Sequence, residues 1–185
     1  MTEPALATRT KRVLTGYRPT GALHVGHWAG NIENMLALQA EDAYQCFFFI
    51  ADWHMLTTHY DRTDELGAFV EGLTLDWLAA GLDPERAVIY RQSDVPEVAE
   101  MALLLGMITP LGWLERVPSY KERLRDMSER ETANFGLLGY PVLQVVDISI
   151  VRAELVPVGE DQVAHLELSR EIVRRFNRFY GEVLL

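Results

Sequence analysis

The sequence predicts an α/β protein built on a doubly wound parallel sheet. Short β-branched or aromatic segments at 11–17, 46–51 and 87–90 alternate with longer segments of helical periodicity, the order of strands joined by crossover helices. The middle segment, Cys46-Phe-Phe-Phe-Ile-Ala51, is apolar throughout, as a strand covered on both faces must be. At 185 residues the chain suits one compact domain.

Lys11 to Tyr17 reads as the first strand, closed by Gly16 and Pro19. From Gly26 to Gln39, Trp28, Ala29, Ile32, Met35 and Leu36 recur at three and four, which makes a helix that follows directly. After the 46–51 strand, Asp64 opens a helix with Leu66, Phe69, Val70, Leu73 and Trp77 on one stripe, and Gly81 ends it. Ala87 to Tyr90 is the third strand. Val95 to Met107 reads as a buried helix, capped by Ser93 or Asp94 with Pro96 in its first turn. Ser119 to Glu131 is dense in charge and predicts an exposed helix end or mobile loop. Phe135 to Val151 is apolar again, with Gly136, Gly139 and Pro141 breaking its start. Leu155 to Val158 predicts another strand, and Gly159 turns it into a long helix from about Asp161 to Phe179, with Val163, Leu166, Ile172, Val173 and Phe176 inward. Residues 1–10 read as a flexible leader without the apolar centre of a signal peptide.

With 17 Lys plus Arg against 27 Asp plus Glu, the net charge is −10. Such a balance excludes a general nucleic-acid coat, which needs clustered surplus cations, but leaves room for a local basic site. Lys11 and Lys121 are the only lysines, so any mechanism that needs lysines near the carboxyl end must find them outside this chain. The single cysteine, Cys46, cannot form an internal disulfide; its phenylalanine neighbours predict a buried thiol without a redox role in a reducing compartment. Apolar runs fall far short of the roughly 20 residues of a membrane span. These features together predict a cytoplasmic protein with no membrane contact.

Three stretches carry candidate chemistry. In Thr15-Gly-Tyr-Arg-Pro-Thr-Gly-Ala-Leu-His-Val-Gly-His27 the first strand ends in a glycine-rich loop that feeds a helix amino terminus, where peptide N–H groups attract phosphate. His24 and His27, three apart, can face the same way and donate to one oxygen; the plain alternative is turn glycines and helix-capping histidines. In Tyr140-Pro-Val-Leu-Gln-Val-Val-Asp147, Tyr140, Gln144 and Asp147 share a helical face within an apolar segment. That describes either a small-molecule pocket with a few orienting groups or a buried trio that satisfies itself. In Leu155-Val-Pro-Val-Gly-Glu-Asp-Gln162 a strand ends in a polar cluster, and Glu160 and Asp161 equally suit a helix macrodipole. If the three loops share one sheet edge they form one constellation. Asp52 and His54 also lie just past a strand, His54 either lining the pocket or satisfying backbone. His59 and Asp61 read as surface loop, Glu115, Arg116 and the charges from Lys121 to Arg130 as a solvated face, and Arg170, Arg174, Arg175 and Arg178 as a basic stripe interleaved with acids. No spacing predicts a metal site.

Together these motifs resemble the catalytic domain of the class I aminoacyl-tRNA synthetases, specifically the tryptophanyl family. His24-Val-Gly-His27 resembles the His-x-Gly-His motif, Pro19-Thr-Gly before it fits the tryptophanyl and tyrosyl subgroup, and Val156-Pro-Val-Gly-Glu-Asp-Gln162 followed by His165-Leu-Glu-Leu-Ser-Arg is close to the tryptophanyl form. The resemblance runs from about Val13 to Gly181 and includes Gln92-Ser-Asp-Val-Pro-Glu97. It implies a Rossmann-like domain over 11–185 that activates L-tryptophan with ATP and transfers it to tRNA(Trp), with Mg²⁺ held mainly by phosphates. It implies catalytic roles for His24 and His27 and ATP contacts from Arg18, Pro19, Thr20, Gly26, His27, Gly159, Glu160 and Asp161. The same resemblance assigns tryptophan to Tyr140, Gln144, Asp147 and Gln162 and to the apolar wall of Leu14, Ile148, Val156 and Val158, with His54 beside them. An apolar Leu14 favours tryptophan where tyrosyl relatives carry a tyrosine. Many relatives have Gln at the Arg18 position and Asn at His27. The Lys-Met-Ser-Lys-Ser loop and the anticodon-reading domain are not in this sequence, so the expectation is an amino-terminal part cut before them. Relatives are homodimers, and the Met101 to Leu114 run is apolar enough for an interface. A tyrosine-activating relative and a non-charging paralogue that binds tryptophan or ATP are the competing readings.

Overall fold

The computed structural model describes residues 10–126 and 133–184; residues 1–9 of the expected leader, 127–131 of the charged segment and Leu185 lie outside the described residues. Three parallel strands, β1 (Lys11–Tyr17), β2 (Tyr44–Ile50) and β3 (Ala87–Arg91), pair in that order, with Val13 opposite Cys46 and Cys46 opposite Ala87. Period-2 alternation divides the sheet. Val13, Cys46, Phe48 and Ile50 face a core shared with Ile32, Met35, Leu73 and Trp77, whereas Leu14, Phe49 and Ala51 pack on the opposite face with Ile148 and Val151. Cys46 is 1% exposed, so its thiol is sealed in the first of these cores.

On the first face lie α1 (Val25–His27), α2 (Glu33–Ala40) and α4 (Thr63–Ala80), with the short α3 (Asp52–Leu56) directly after β2. The helix expected over 26–39 is interrupted: Trp28–Ile32 form a π turn, closed by the Glu33 N–H donating to the Trp28 carbonyl. The extra residue shifts the phase, so Ile32 and Met35 stay buried but Trp28 and Ala29 swing outward. α4 keeps its expected stripe and stops at Gly81, whose φ of 104° is open to glycine alone without strain.

The opposite face is covered by α8 (Phe135–Ile150), packed against α5 (Glu97–Ile108), α6 (Leu111–Leu114) and α9 (Val163–Tyr180), with α7 (Pro118–Asp126) between. Neither Ser93 nor Asp94 caps α5; they belong to a 3-10 turn, Pro96 takes the N-cap position, and the Ser93 hydroxyl bonds Asp52 instead. Charge density does not prevent Ser119 to Asp126 from being helical.

Contrary to the expected break, α8 is one helix through Gly136, Gly139 and Pro141. An internal proline costs about 3 kcal/mol and each glycine about 1 kcal/mol. Burial of Leu137, Val142, Val145 and Val146 returns roughly 1.5–3 kcal/mol apiece and prevails, aided by the Asn134 side chain, which accepts the Leu137 N–H at 2.8 Å.

After α8, Arg152 adopts a left-handed φ of 53° and the chain turns back beside β1. Only one bridge forms there, Leu155 to Val13, in place of the expected strand. Leu155 donates to the Arg12 carbonyl and accepts from the Leu14 N–H; the next donation in a parallel ladder falls to residue 157, a proline without an N–H. A 3-10 turn over Glu160–Gln162 then opens α9, in which Ile172 is buried but Val163 is 48% exposed, outside the inward stripe expected for it.

Gly16 sits where β1 crosses the Phe49 ring, and a methyl group there would lie inside the ring's van der Waals envelope. Gly16→Ala is therefore expected to destabilise the fold by about 1–3 kcal/mol, read as a lower urea midpoint at unchanged slope.

Candidate active site

β1 is flanked by β2 on one edge and by the Leu155 segment on the other, so its carboxyl end is the point where the chain departs in both directions. Parallel sheets bind ligands at such a switch point. A cleft of about 960 Å³ opens there.

The three stretches singled out in the sequence all reach this cleft. Arg18, Thr20 and His27 line it from the β1 loop, Tyr140, Gln144, Asp147 and Ile148 from α8, and Val156, Val158, Gly159 and Gln162 from the returning segment. Leu14 and His54 complete the predicted set. Pro19, His24, Gly26 and Glu160 are not among its lining residues; the Asp161 side chain lies outside the described residues. Pro19 is buried in the loop and Glu160 is exposed.

The two histidines meet, but with a division of labour. His24 Nδ1 accepts the Gly26 N–H at 3.1 Å and His27 Nδ1 accepts the His24 N–H at 3.1 Å, a reciprocal cap that starts α1. Their rings lie 3.8 Å apart. With Nδ1 accepting, the neutral imidazoles carry their protons on Nε2. His27 lines the main cleft, and His24 lines a second depression with Leu23, Trp28 and Asp76.

Asp147 forms the floor. Its carboxylate is 2% exposed and takes His54 Nε2 at 2.8 Å on one oxygen and Gln92 Nε2 at 2.8 Å on the other. Burial pushes this carboxyl above the ordinary carboxylate range, while His54 first and Gln92 second pull it back. Gln92 itself is fully buried; its amide oxygen receives the Trp53 and His54 N–H groups. Asp52, weighed as a site residue, is a structural tie: it accepts the Trp53 and Ser93 N–H groups and the Ser93 hydroxyl, and it lines no part of the cleft.

On the facing wall the Tyr140 hydroxyl meets Ser119 and His165. Burial raises the Tyr140 phenol above its usual range. Sequence reasoning left Gln92 and His165 inside motifs without a role and passed over Ser119, Thr15, Asn31 and Asn34, all of them but Gln92 cleft-lining. A signal existed for Gln92, which follows β3 as Asp52 follows β2; Ser119, within a charge-dense segment, had none. The Thr15 hydroxyl is buried without a hydrogen-bond partner among the described residues. Among those residues, no group of three or more His, Cys, Asp or Glu side chains gathers as a metal site, and no helix is long and apolar enough to cross a membrane.

With this geometry in place, likeness to known proteins decides the family. Residues 6–184 match the model of the tRNA synthetases class I (W and Y). The chain belongs to that family. It is 57% identical over 171 residues to the tryptophan–tRNA ligase of Ralstonia nicotianae, covering 92% of this chain and 42% of that protein. The Thermotoga maritima tryptophan–tRNA ligase is 54% identical over 172 residues, 93% of this chain and 52% of its own length. Among solved structures, the tryptophanyl-tRNA synthetase of Campylobacter jejuni complexed with ADP and tryptophan superposes with a TM-score of 0.86 at 38% identity, covering 94% of this chain and 52% of that one. The tyrosyl-tRNA synthetase of Archaeoglobus fulgidus shares the fold, with a TM-score of 0.75 at 24% identity, 95% of this chain and 53% of that one. This class I synthetase chain thus spans about half the length of the relatives it matches.

His54 supplies the largest opposition to the desolvation of Asp147, so His54→Ala is expected to raise the Asp147 pKa further. A carboxyl whose folded pKa exceeds its unfolded value loses stability as pH rises through that interval. The variant should therefore lose more stability than the parent as pH rises through and above the ordinary carboxylate range, measured by urea unfolding across pH with the carboxyl titrated by ¹³C NMR.

Proposed function

We propose that this chain is the tryptophan- and ATP-binding part of a tryptophan–tRNA ligase, which joins L-tryptophan to ATP as tryptophanyl-adenylate and passes the acyl group to tRNA(Trp). The observation that carries the reading is Asp147, a buried carboxylate beneath an apolar slot of Leu14, Ile148 and Val156. Two of the four lone-pair sites on a carboxylate are taken by His54 and Gln92, which leaves acceptor capacity for an indole N–H. Phenylalanine would leave that buried acceptor unpaired, a mismatch worth discrimination on the order of 10⁴. Leu14 offers a tyrosine hydroxyl no partner.

In this reading Tyr140, Gln144 and Gln162 orient the α-ammonium end and hold the carboxylate toward the β1 loop. The tryptophan carboxylate attacks the α-phosphorus of ATP and pyrophosphate leaves. No covalent protein nucleophile is needed; positioning and donors to the phosphoryl oxygens suffice. His27 Nε2–H, the Arg18 guanidinium and the Thr20 hydroxyl, all on the cleft wall, supply donors, and Gly159 permits close approach on the adenosine side. His24 acts through the reciprocal cap that sets the His27 ring. Pro19, Gly26, Glu160 and Asp161 shape the two loops around the nucleotide. Mg²⁺ accompanies ATP and is held by phosphate oxygens and water.

A homodimer is part of this proposal. On α5 and α6, Leu103, Leu104, Met107 and Leu111 are 64%, 59%, 71% and 61% exposed, a contiguous apolar face whose burial suits a second copy. The buried thiol and the ordinary composition fit a cytoplasmic setting.

Asp147→Ala is expected to weaken tryptophan binding about a hundredfold by calorimetry, because a charged buried partner is lost. Unchanged affinity would place the pocket elsewhere, and ATP–pyrophosphate exchange by the longer protein equal or faster with tyrosine would make it a tyrosine enzyme. Leu104→Asp should convert dimer to monomer in sedimentation velocity; an unaltered sedimentation coefficient would remove this face from the interface.

A further inference from the structure

Three elements bring three polar groups to one point of the cleft wall. Ser119 comes from α7, Tyr140 from α8 and His165 from α9. The Tyr140 hydroxyl lies 2.5 Å from His165 Nε2, Ser119 Oγ lies 2.8 Å from the same nitrogen, and Ser119 and Tyr140 are themselves hydrogen-bonded. His165 is 2% exposed, yet all three residues line the cleft.

We propose that Ser119 and His165 are positioning residues that make the Tyr140 hydroxyl an acceptor-only group facing the α-ammonium of the bound amino acid. The inference rests on the tryptophan reading and adds to it the residues that set the polarity of the ammonium subsite. A phenol that faces a cation must point its proton away from it. Burial keeps the Tyr140 phenol protonated, so that proton needs an acceptor. Of its two neighbours, an imidazole nitrogen is the stronger acceptor. This arrangement requires the His165 tautomer with its proton on Nδ1, in which Nε2 has a single lone pair. Once Tyr140 occupies it, the Ser119 proton turns to the Tyr140 oxygen. Both hydroxyl protons are then consumed inside the trio, and only oxygen lone pairs remain toward the cleft. A ligand donor, above all a charged one, completes the pattern; a ligand without an ammonium leaves it unanswered.

Calorimetry with L-tryptophan, tryptamine and indole-3-propionate at one pH tests this, since the second keeps the ammonium and the third lacks it. His165→Phe and Tyr140→Phe should each weaken tryptophan and tryptamine about tenfold, with indole-3-propionate unchanged within about twofold. Because His165 acts through Tyr140, the double variant should bind no more weakly than the single ones. His165→Gln, which restores an acceptor oxygen, should recover most of the loss. Ser119→Ala, at a half-buried position, should cost the two ammonium ligands about threefold and carries the test alongside His165→Gln if His165→Phe fails to fold by circular dichroism. Equal weakening of all three ligands, or additive losses in the double variant, would overturn the inference while leaving the tryptophan reading intact. Failure of the unaltered chain to bind tryptophan would overturn both.

Discussion

The architecture of the cleft depends on one buried carboxylate. Asp147 projects from α8 on one face of the sheet to meet His54, the third residue of α3 just after β2, and Gln92, the first residue after β3. It therefore ties the carboxyl ends of two neighbouring strands to the helix that covers them. Removing one partner of a buried hydrogen-bonded group costs about 1–3 kcal/mol, because the group left behind is desolvated and unsatisfied. The same desolvation that makes the arrangement costly also makes it selective. A carboxylate pushed toward neutrality accepts a donor that completes its shell far more readily than one that does not.

Around that floor the two loops at the end of β1 play different parts. The β1 loop presents donors: the α1 cap spends both Nδ1 atoms on backbone, which fixes Nε2–H of His27 toward the cleft. The returning segment presents shape, with Val156, Pro157 and Val158 walling the slot before the chain enters α9. Pro157 ends the β ladder at one bridge, and the segment stays splayed from β1 where a full strand would have closed the gap.

Much of this was legible in the residues. Continuous apolar strands and 3.6-period helices predicted the parallel sheet, and the i, i+4, i+7 spacing of Tyr140, Gln144 and Asp147 put them on one wall, because both patterns are local properties of the chain. Local rules erred where packing outweighed them. Gly136, Gly139 and Pro141 read as a helix break, yet the buried row of α8 carries the helix through. Trp28 read as part of the apolar stripe of one continuous helix, yet the π turn leaves it 42% exposed.

The sequence by itself determined the fold class, the family and the three stretches that bear chemistry, since each is written in contiguous residues with a spacing of its own. Only the tertiary structure decided the partners. His54 and Asp147 are 93 residues apart, Gln92 and Asp147 55, and Ser119 and His165 46. No periodicity relates such positions, and their hydrogen bonds exist because the sheet and the three helices packed on it deliver them to the same place. The division between His24 and His27 is tertiary as well: one motif supplies both rings, and the packing of α1 places one along the main cleft and the other along a second depression.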